Sequence, residues 1–219
     1  MRILEEIFQL LFPAKCVLCG KLLRKDETDL CHNCRVDAPE CPVSGQKLSF
    51  LSGWVALWHY EENVRSSIIR FKFYGQRGYA DCYGRLLAMK LQREYPDGFD
   101  LLTWVPVSLF RKLVRGYDQS QLLAQAVGEQ LGMEPVPLVR KIRSNKQQSK
   151  IHGHAQRRAN VLGVYRVIDA DAVKDKRILL LDDVITTGAT AGEVSRILLT
   201  AGGKEVYCGA VASARHRPK

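Results

Sequence analysis

The chain has 219 residues, of which 46% are hydrophobic and 26% charged, which suits one medium domain with a small appendage. No apolar run approaches the roughly 20 residues that span a bilayer, and the start lacks the pattern of a signal peptide. The seven cysteines are an odd number, which argues against a disulfide framework and favours a reducing compartment with a bound metal. We therefore expect a cytoplasmic protein, with membrane association through partners left open.

The first predicted element is an amphipathic helix over Met1–Phe12, which Pro13 ends. Acidic and amide side chains interrupt its apolar positions, so the segment does not resemble a bilayer span. Packing on the main domain is one expected role for it, and docking on a partner or a membrane surface is the other.

Two Cys-x-x-Cys knuckles follow, with eleven residues between them, at Cys16, Cys19, Cys31 and Cys34. Four thiolates are the ligand set that structural zinc prefers, and a complete set leaves no coordination position open for catalysis. The segment up to residue 50 has few large apolar side chains after position 12, so metal binding has to supply its folding energy. Cys41 begins a third knuckle in which Ser44 stands at the second position. We therefore predict one structural zinc ion.

After residue 50 the pattern changes to alternating strands and helices. Strands are predicted over Trp54–Tyr60, Leu101–Val107, Tyr165–Ile168, Ile178–Leu181 and Glu205–Ala212, and helices over Val64–Phe73, Tyr79–Tyr95, Gln119–Leu131 and from about Thr190 onward. This alternation predicts an α/β fold whose parallel sheet is flanked by helices. The predicted domains are residues 1–50, a helix plus a zinc ribbon with four cysteine ligands, and residues 51–219, the α/β domain.

Two basic regions stand out within the predicted α/β domain. Arg111, Lys112 and Arg115 follow the second predicted strand, on the side of the sheet where ligands bind, and an arginine there can hold a pyrophosphate bidentately. The alternative is a basic surface loop in which Asp118 or Ser120 caps the next helix. The formal net charge is +10, and residues 140–158 contain seven basic and no acidic residues. Such a stretch serves a nucleic acid, a polyphosphate or an anionic surface, or is a solvated face.

The most informative segment begins with the apolar run Ile178–Leu181, which predicts a strand buried on both faces. Asp182 and Asp183 end this run, and their carboxylates can accept hydrogen bonds from a pair of vicinal hydroxyls. A loop of small and hydroxylated residues then leads into a helix. The loop comprises Thr186, Thr187, Gly188, Ala189 and Thr190. Helix N-terminal amides and hydroxyls suit a phosphate, so the segment predicts a ribose 5-phosphate site. The alternative is a strand with a polar end and an ordinary helix cap.

This segment resembles the phosphoribosyl pyrophosphate (PRPP) motif of type I phosphoribosyltransferases. The resemblance implies that Asp182 and Asp183 are the catalytic and ribose-binding residues, that residues 186–190 wrap the 5-phosphate, and that PRPP carries Mg²⁺. With the cysteine knuckles, the stretch 105–120 and the stretch 143–165, the motif makes nearly the entire chain similar to the ComF/GntX family. The implied fold is a type I phosphoribosyltransferase-like parallel sheet with a small N-terminal zinc ribbon.

In that family the stretch before the motif reads Arg, Thr, Gln, then Arg-x-x-Asn before an aromatic residue. Arg143, Gln148, Arg157 and Asn160 match this pattern, whereas Asn145 stands at the threonine position and offers no hydroxyl. The matching residues are candidates for a mobile loop that closes over PRPP and excludes water. The alternative is a stretch that is disordered without such a role.

The family resemblance implies a phosphoribosyltransferase in which a nucleophile displaces pyrophosphate from ribose C1, with no acceptor identified. ComF relatives are associated with natural competence, so the alternative is a non-catalytic accessory protein of DNA uptake that binds single-stranded DNA or competence proteins. A third possibility is PRPP sensing without turnover. Fold alone does not choose among these functions.

Overall fold

The protein is described by a computed structural model that covers residues 13–43, 47–143 and 159–215. Three features of the sequence analysis lie outside these described residues: the predicted N-terminal helix at residues 1–12, Ser44, and most of the basic stretch at residues 140–158. None of the described helices is long and apolar enough to cross a membrane.

Six strands occur in the described part of the chain: Gly53–His59 (β1), Leu101–Trp104 (β2), Val139–Lys141 (β3), Tyr165–Val167 (β4), Arg177–Ile185 (β5) and Glu205–Ser213 (β6). Four of them form a parallel sheet in the order β1, β6, β5, β2. The aliphatic run Ile178–Leu181 lies in an interior strand and is completely buried, which is why four consecutive aliphatic residues are needed there. The predicted parallel sheet is confirmed.

One predicted strand lies elsewhere than expected. Strand β4 is not part of the parallel sheet but pairs antiparallel with β3, so that Lys141 lies opposite Tyr165. Only Tyr165 of this three-residue strand is buried, and Arg166 is exposed. A strand of this kind cannot be covered on both faces, as an interior parallel strand has to be.

The described helices are His32–Asp37 (α1), Glu62–Phe73 (α2), Tyr79–Glu94 (α3), Leu109–Arg115 (α4), Gln119–Leu131 (α5), Ala170–Val173 (α6) and Ala189–Thr200 (α7). Helices α2, α3, α5 and α7 confirm the predicted ones. Helix α4 occupies a stretch for which the sequence predicts a basic loop. It begins after Ser108, whose Oγ accepts a hydrogen bond from the Arg111 N–H at 3.4 Å, and it ends at Gly116, where φ is +75°.

Apolar side chains cover both faces of the sheet. Alternate residues of β5 enter opposite clusters: Leu179 and Leu181 pack with α2, α3 and α5, whereas Ile178 and Leu180 pack with α7 and the small β3–β4 sheet. The first cluster also contains Val17 and Leu18, so the cysteine-rich segment shares a core with the α/β domain. The domain boundary at residue 50 stays a prediction.

The contact between α3 and α5 is unusually close, because Gly84 of α3 faces Ala126 of α5. We expect Gly84→Ala to destabilise the protein by about 1–3 kcal/mol, since the new methyl group would lie 2.5 Å from the Ala126 Cβ and 2.7 Å from its backbone carbon. An exposed helix would instead gain about 1 kcal/mol from this change, so the sign of the effect tests the contact.

Urea unfolding measures this difference. Gly78→Ala is the matched control, because a Cβ at that position meets nothing within 4 Å. Equal unfolding midpoints for the two variants would contradict the packing of α3 on α5.

Candidate functional site

The acidic pair lies where β5 reaches the carboxyl edge of the sheet. The Leu181 carbonyl accepts a hydrogen bond from the Val105 N–H at 2.9 Å, which ties β5 to the segment that follows β2. Asp182 and Asp183 come directly after this contact, while β5 continues beside β6 as far as Ile185. Both carboxylates therefore project from a rigid strand at the edge where ligands of parallel sheets bind.

The Asp182 carboxylate is held by its Oδ1 atom. This oxygen accepts hydrogen bonds from the Asp183 N–H at 2.8 Å and from the Ser120 hydroxyl at 3.4 Å. Burial raises the pKa of the Asp182 carboxyl, and the adjacent Asp183 charge raises it further, whereas Lys72 acts in the opposite direction. Asp182 is therefore an acceptor whose ionisation depends on its neighbours.

The Asp183 carboxylate forms an ion pair with Lys72. Their Oδ1 and Nζ atoms are 2.8 Å apart, and the two side chains are 13% and 19% exposed. Lys72 is the penultimate residue of α2 and was not among the predicted site residues. Its position in an amphipathic helix far from the motif gave no sequence signal, because only tertiary packing brings it to β5.

The loop after β5 forms the N-terminus of α7. Gly188 is the N-cap residue, with φ at +71°, and its carbonyl accepts a hydrogen bond from the Gly192 N–H at 2.7 Å. In the described residues no side chain caps this helix in the usual N-cap position, and the Thr187 Oγ1 accepts from the Ala189 N–H at 3.4 Å. Thr190 lies in the first turn. Thr186 and residues 187–190 are all half-buried.

Gly188 is required for two reasons. Its positive φ favours glycine, and a Cβ at this position would lie 2.9 Å from the Leu48 Cδ2. The loop therefore runs close beneath the segment that links the cysteine-rich part to β1. Leu48, Thr187 and Gly188 also line a cavity of about 480 Å³ beside the loop.

The three predicted basic residues all belong to α4, but they differ in their surroundings. Arg115 donates to the Gln119 Oε1 at 2.6 Å and stacks over the Phe73 ring, with its Cζ 4.7 Å from the ring centroid. Burial lowers the pKa of Arg115, and the charge of Asp183 acts in the opposite direction. Arg111 is half-buried, whereas Lys112 is exposed. Arg115 is therefore the predicted basic residue that the structure brings toward the acidic pair.

A second lysine missed by the sequence analysis lies near Arg111. Lys141 of β3 has its Nζ 5.4 Å from the centroid of the Tyr165 ring. Burial lowers the pKa of Lys141 to about 8, the charge of Arg111 lowers it too, and Asp182 opposes both. Lys141 is the second residue of the basic stretch, and the composition of that stretch does not distinguish Lys141 from the other cations in it.

The segment after α4 supports the site through hydrogen bonds to α2, to α5 and to the loop after β2. The Asp118 carboxylate accepts hydrogen bonds from the Gln121 N–H at 3.2 Å and from the Val107 N–H at 3.1 Å. Asp118 is thus the cap of α5, one of the two residues predicted for that position, and it also holds the loop after β2. The Tyr117 hydroxyl donates to the Phe71 carbonyl near the end of α2.

The candidate mobile-loop residues are only partly described. Arg143 is exposed and Asn160 is half-buried. Gln148 and Arg157 lie outside the described residues, as does Asn145, which replaces the threonine of the family pattern. The mobile-loop assignment stays a prediction.

The candidate metal centre is formed by the two predicted knuckles, and its ligand atoms all lie within 4.8 Å of one another: Cys16, Cys19, Cys31 and Cys34. The Sγ atoms of Cys19 and Cys31 are 3.7 Å apart. Zinc–sulfur bonds of about 2.3 Å in a tetrahedron place two sulfurs about 3.8 Å apart. The four thiolates therefore fit a structural zinc ion.

Cys41 does not join this centre. It is buried in the second apolar cluster, beside Leu48 and Trp54. Since Ser44 lies outside the described residues, the prediction of a single zinc ion stays a prediction.

Comparison with known families agrees with both parts of the chain. The model of the phosphoribosyl transferase domain matches residues 118–219, and that of the double zinc ribbon domain matches residues 7–55. The protein is therefore a phosphoribosyltransferase-type α/β protein with an N-terminal double zinc ribbon. Curated relatives of similar length align with nearly the entire chain, so the similarity to the ComF family that its motifs predict is confirmed.

Three of these relatives are each 27% identical to this chain. Competence protein F of Haemophilus influenzae aligns over 229 residues, covering 93% of this chain and 98% of that protein. Competence protein ComFC of Streptococcus pneumoniae aligns over 223 residues, covering 88% and 96%. The DNA utilization protein YhgH of Escherichia coli K12 aligns over 204 residues, covering 88% of each.

The raised pKa of Asp182 predicts a pH-dependent stability effect. A carboxyl whose pKa is raised on folding is protonated in both states at low pH, and it destabilises the folded state as the pH rises through its folded pKa. We therefore expect Asp182→Asn to stabilise the protein by about 1–3 kcal/mol near pH 8 and to have little effect near pH 4. Urea unfolding across this range measures the difference. The exposed Asp171→Asn is the control, and a benefit that grows toward low pH would contradict the assignment.

The metal centre predicts a different response of two buried cysteines. Cys34→Ala should reduce bound zinc from about one ion per chain to almost none and lower the thermal midpoint by on the order of 10 °C or more, because the metal supplies folding energy. Cys41→Ala should keep its zinc. Zinc content by elemental analysis and thermal unfolding measure both effects, and full zinc retention by Cys34→Ala would show that the cluster is not the ligand set.

Proposed function

We propose that this protein binds Mg²⁺-bound PRPP at the carboxyl edge of its sheet and acts as a phosphoribosyltransferase. The observation that carries the proposal is the arrangement on a single β5–loop–α7 unit. Two carboxylates, Asp182 and Asp183, follow the buried aliphatic run of β5, and a helix N-terminus with a glycine N-cap comes within a few residues. The diol and the phosphate of one ribose 5-phosphate match these two features.

The carboxylates have one oxygen each to offer the ribose. Oδ1 of Asp182 accepts from the protein, and Oδ1 of Asp183 is paired with Lys72. Within residues 13–43, 47–143 and 159–215, neither Oδ2 atom has a hydrogen-bond donor. These two oxygens are suited to accept from the ribose 2- and 3-hydroxyls.

The loop at residues 186–190 is suited to the 5-phosphate. Backbone amides at the start of α7 point toward the helix end, where the helix dipole favours an anion. Gly188 lets the backbone approach the phosphate closely, and the hydroxyls of Thr186, Thr187 and Thr190 add donors.

The chemical step requires a leaving group rather than an acid–base residue on the chain. The acceptor's lone pair forms a bond to ribose C1 while the C1–oxygen bond to pyrophosphate breaks, and the electron pair leaves with the pyrophosphate. The acceptor loses its proton to solvent or to a base that it brings. Arg115 interacts electrostatically with Asp183, and Lys141 with Arg111 and Asp182. These three cations are therefore suited to offset the charge of the departing pyrophosphate while the ribose is held in a fixed position.

The names of the relatives favour a role of the proposed activity in DNA handling. Competence and DNA utilization are what those proteins are named for, and we extend that role to this chain as part of the proposal. Binding of single-stranded DNA or of competence proteins without catalysis stays the alternative, with the basic stretch as its suggested contact. The odd number of cysteines and the four-cysteine metal cluster support a cytoplasmic location.

Calorimetry with Mg²⁺ and PRPP tests the proposal. The wild-type protein should bind, and the double variant Asp182→Asn with Asp183→Asn should bind at least about 100-fold more weakly, because two charge-assisted hydrogen bonds to the diol are lost. The control is Asp171→Asn, which removes an exposed carboxylate elsewhere. Pyrophosphate release with a panel of nucleobases and amines then separates a transferase from a sensor. A wild-type protein that gives no heat with Mg²⁺ and PRPP would overturn the proposal.

A further inference from the structure

Helix α2 contacts the zinc ribbon along one side. The Ser67 hydroxyl donates to the Val17 carbonyl, and the Arg70 Nη2 donates to the Leu18 carbonyl at 2.5 Å and to the Val17 carbonyl at 3.3 Å. Val17 and Leu18 are the two residues between the ligands Cys16 and Cys19. The carbonyls that hold α2 therefore belong to the metal-binding knuckle itself.

The C-terminal end of the same helix contacts the acidic pair. Lys72 pairs with Asp183 at 2.8 Å, and the preceding residue, Phe71, has its carbonyl fixed by the Tyr117 hydroxyl. Only one residue separates Lys72 from Arg70. The contacts of α2 with the knuckle and with the site are thus less than one helical turn apart.

We propose that Lys72 is a positioning residue of the PRPP site and that the zinc knuckle holds it there through α2, so that zinc and PRPP stabilise each other's binding. This inference rests on the proposed function. It gives the zinc ribbon a specific task in the site, although the ribbon supplies no group that touches the ligand.

The task of Lys72 follows from its contact. It holds Oδ1 of Asp183, which fixes the rotation of the carboxylate and leaves Oδ2 for the ribose. Its charge also offsets the repulsion between Asp183 and Asp182, so that both can accept hydrogen bonds from hydroxyls. Among the residues that the structure describes, Lys72 is the cation that pairs with these carboxylates, so its displacement would leave both without a partner cation in that part of the chain.

The task of the knuckle follows from the donors that it receives. A metal bound by Cys16 and Cys19 fixes the backbone between them, including the carbonyls of Val17 and Leu18. Loss of the metal would release these acceptors, and Ser67 and Arg70 would lose the contacts that orient α2. Because coupling between two binding sites is reciprocal, PRPP bound against Asp183 has to strengthen retention of zinc.

The experiment measures zinc release to a chromogenic chelator with and without saturating Mg²⁺-bound PRPP. In the wild-type protein PRPP should slow zinc release about 5-fold or more. Lys72→Met should release zinc at the wild-type rate without PRPP, show no slowing with PRPP, and bind PRPP about 10-fold more weakly. Lys72→Arg should restore most of the coupling, because it restores the charge.

Two controls separate this coupling from other effects. Arg65→Met removes an exposed cation from the same helix and should behave as the wild-type protein. The double variant Asp182→Asn with Asp183→Asn should show no slowing, which excludes chelation by PRPP itself.

The outcomes distinguish the two proposals. Wild-type protein that binds PRPP but releases zinc at an unchanged rate would overturn this inference and leave the proposed function intact. Slowing that persists in Lys72→Met would overturn the role of Lys72. Arg70→Met gives a second test from the ribbon side, where faster zinc release together with weaker PRPP binding supports the coupling, and unchanged PRPP affinity opposes it.

Discussion

Two adjacent carboxylates at the end of a buried strand repel each other, and the surrounding structure is arranged to keep both of them there. Asp182 receives a backbone N–H and the Ser120 hydroxyl, and Asp183 receives the Lys72 ammonium. Each of these partners comes from a different element, so α2, α5 and β5 have to be packed in register for the pair to exist. The cost of holding unmatched charge at this position is the reason to regard it as functional.

The stretch Arg115–Ser120 shows how a motif that looks like a ligand-binding loop also serves as a scaffold. Tyr117 fixes the end of α2, Asp118 caps α5 and holds the loop after β2, and Ser120 reaches Asp182. Arg115 is itself oriented by Gln119 and by the ring of Phe73. The motif therefore joins α2, the loop after β2 and the acidic pair of β5 to one another. Its polar residues are needed for these contacts even where they touch no ligand.

Features encoded by neighbouring residues were predictable from the sequence. The cysteine spacing predicted the metal cluster, and four aliphatic residues followed by two aspartates predicted the buried strand and its polar end. Lys72 and Lys141 were not predictable, because nothing local distinguishes them from other surface cations and only packing brings them toward the aspartates. The antiparallel pairing of β4 was missed for a similar reason, since its partner β3 is only three residues long and carries no strand pattern of its own.

The shared core of the zinc ribbon and the α/β domain has a consequence for the order in which the chain folds during synthesis. All four cysteine ligands leave the ribosome before α2 and α3, whose side chains cover Val17 and Leu18. The metal can therefore fold the ribbon early, before the helices that cover the apolar side of the ribbon have been synthesised. In this order of events the ribbon forms first, and the first helices of the α/β domain assemble on its surface. The ribbon is then part of the folding pathway of the α/β domain.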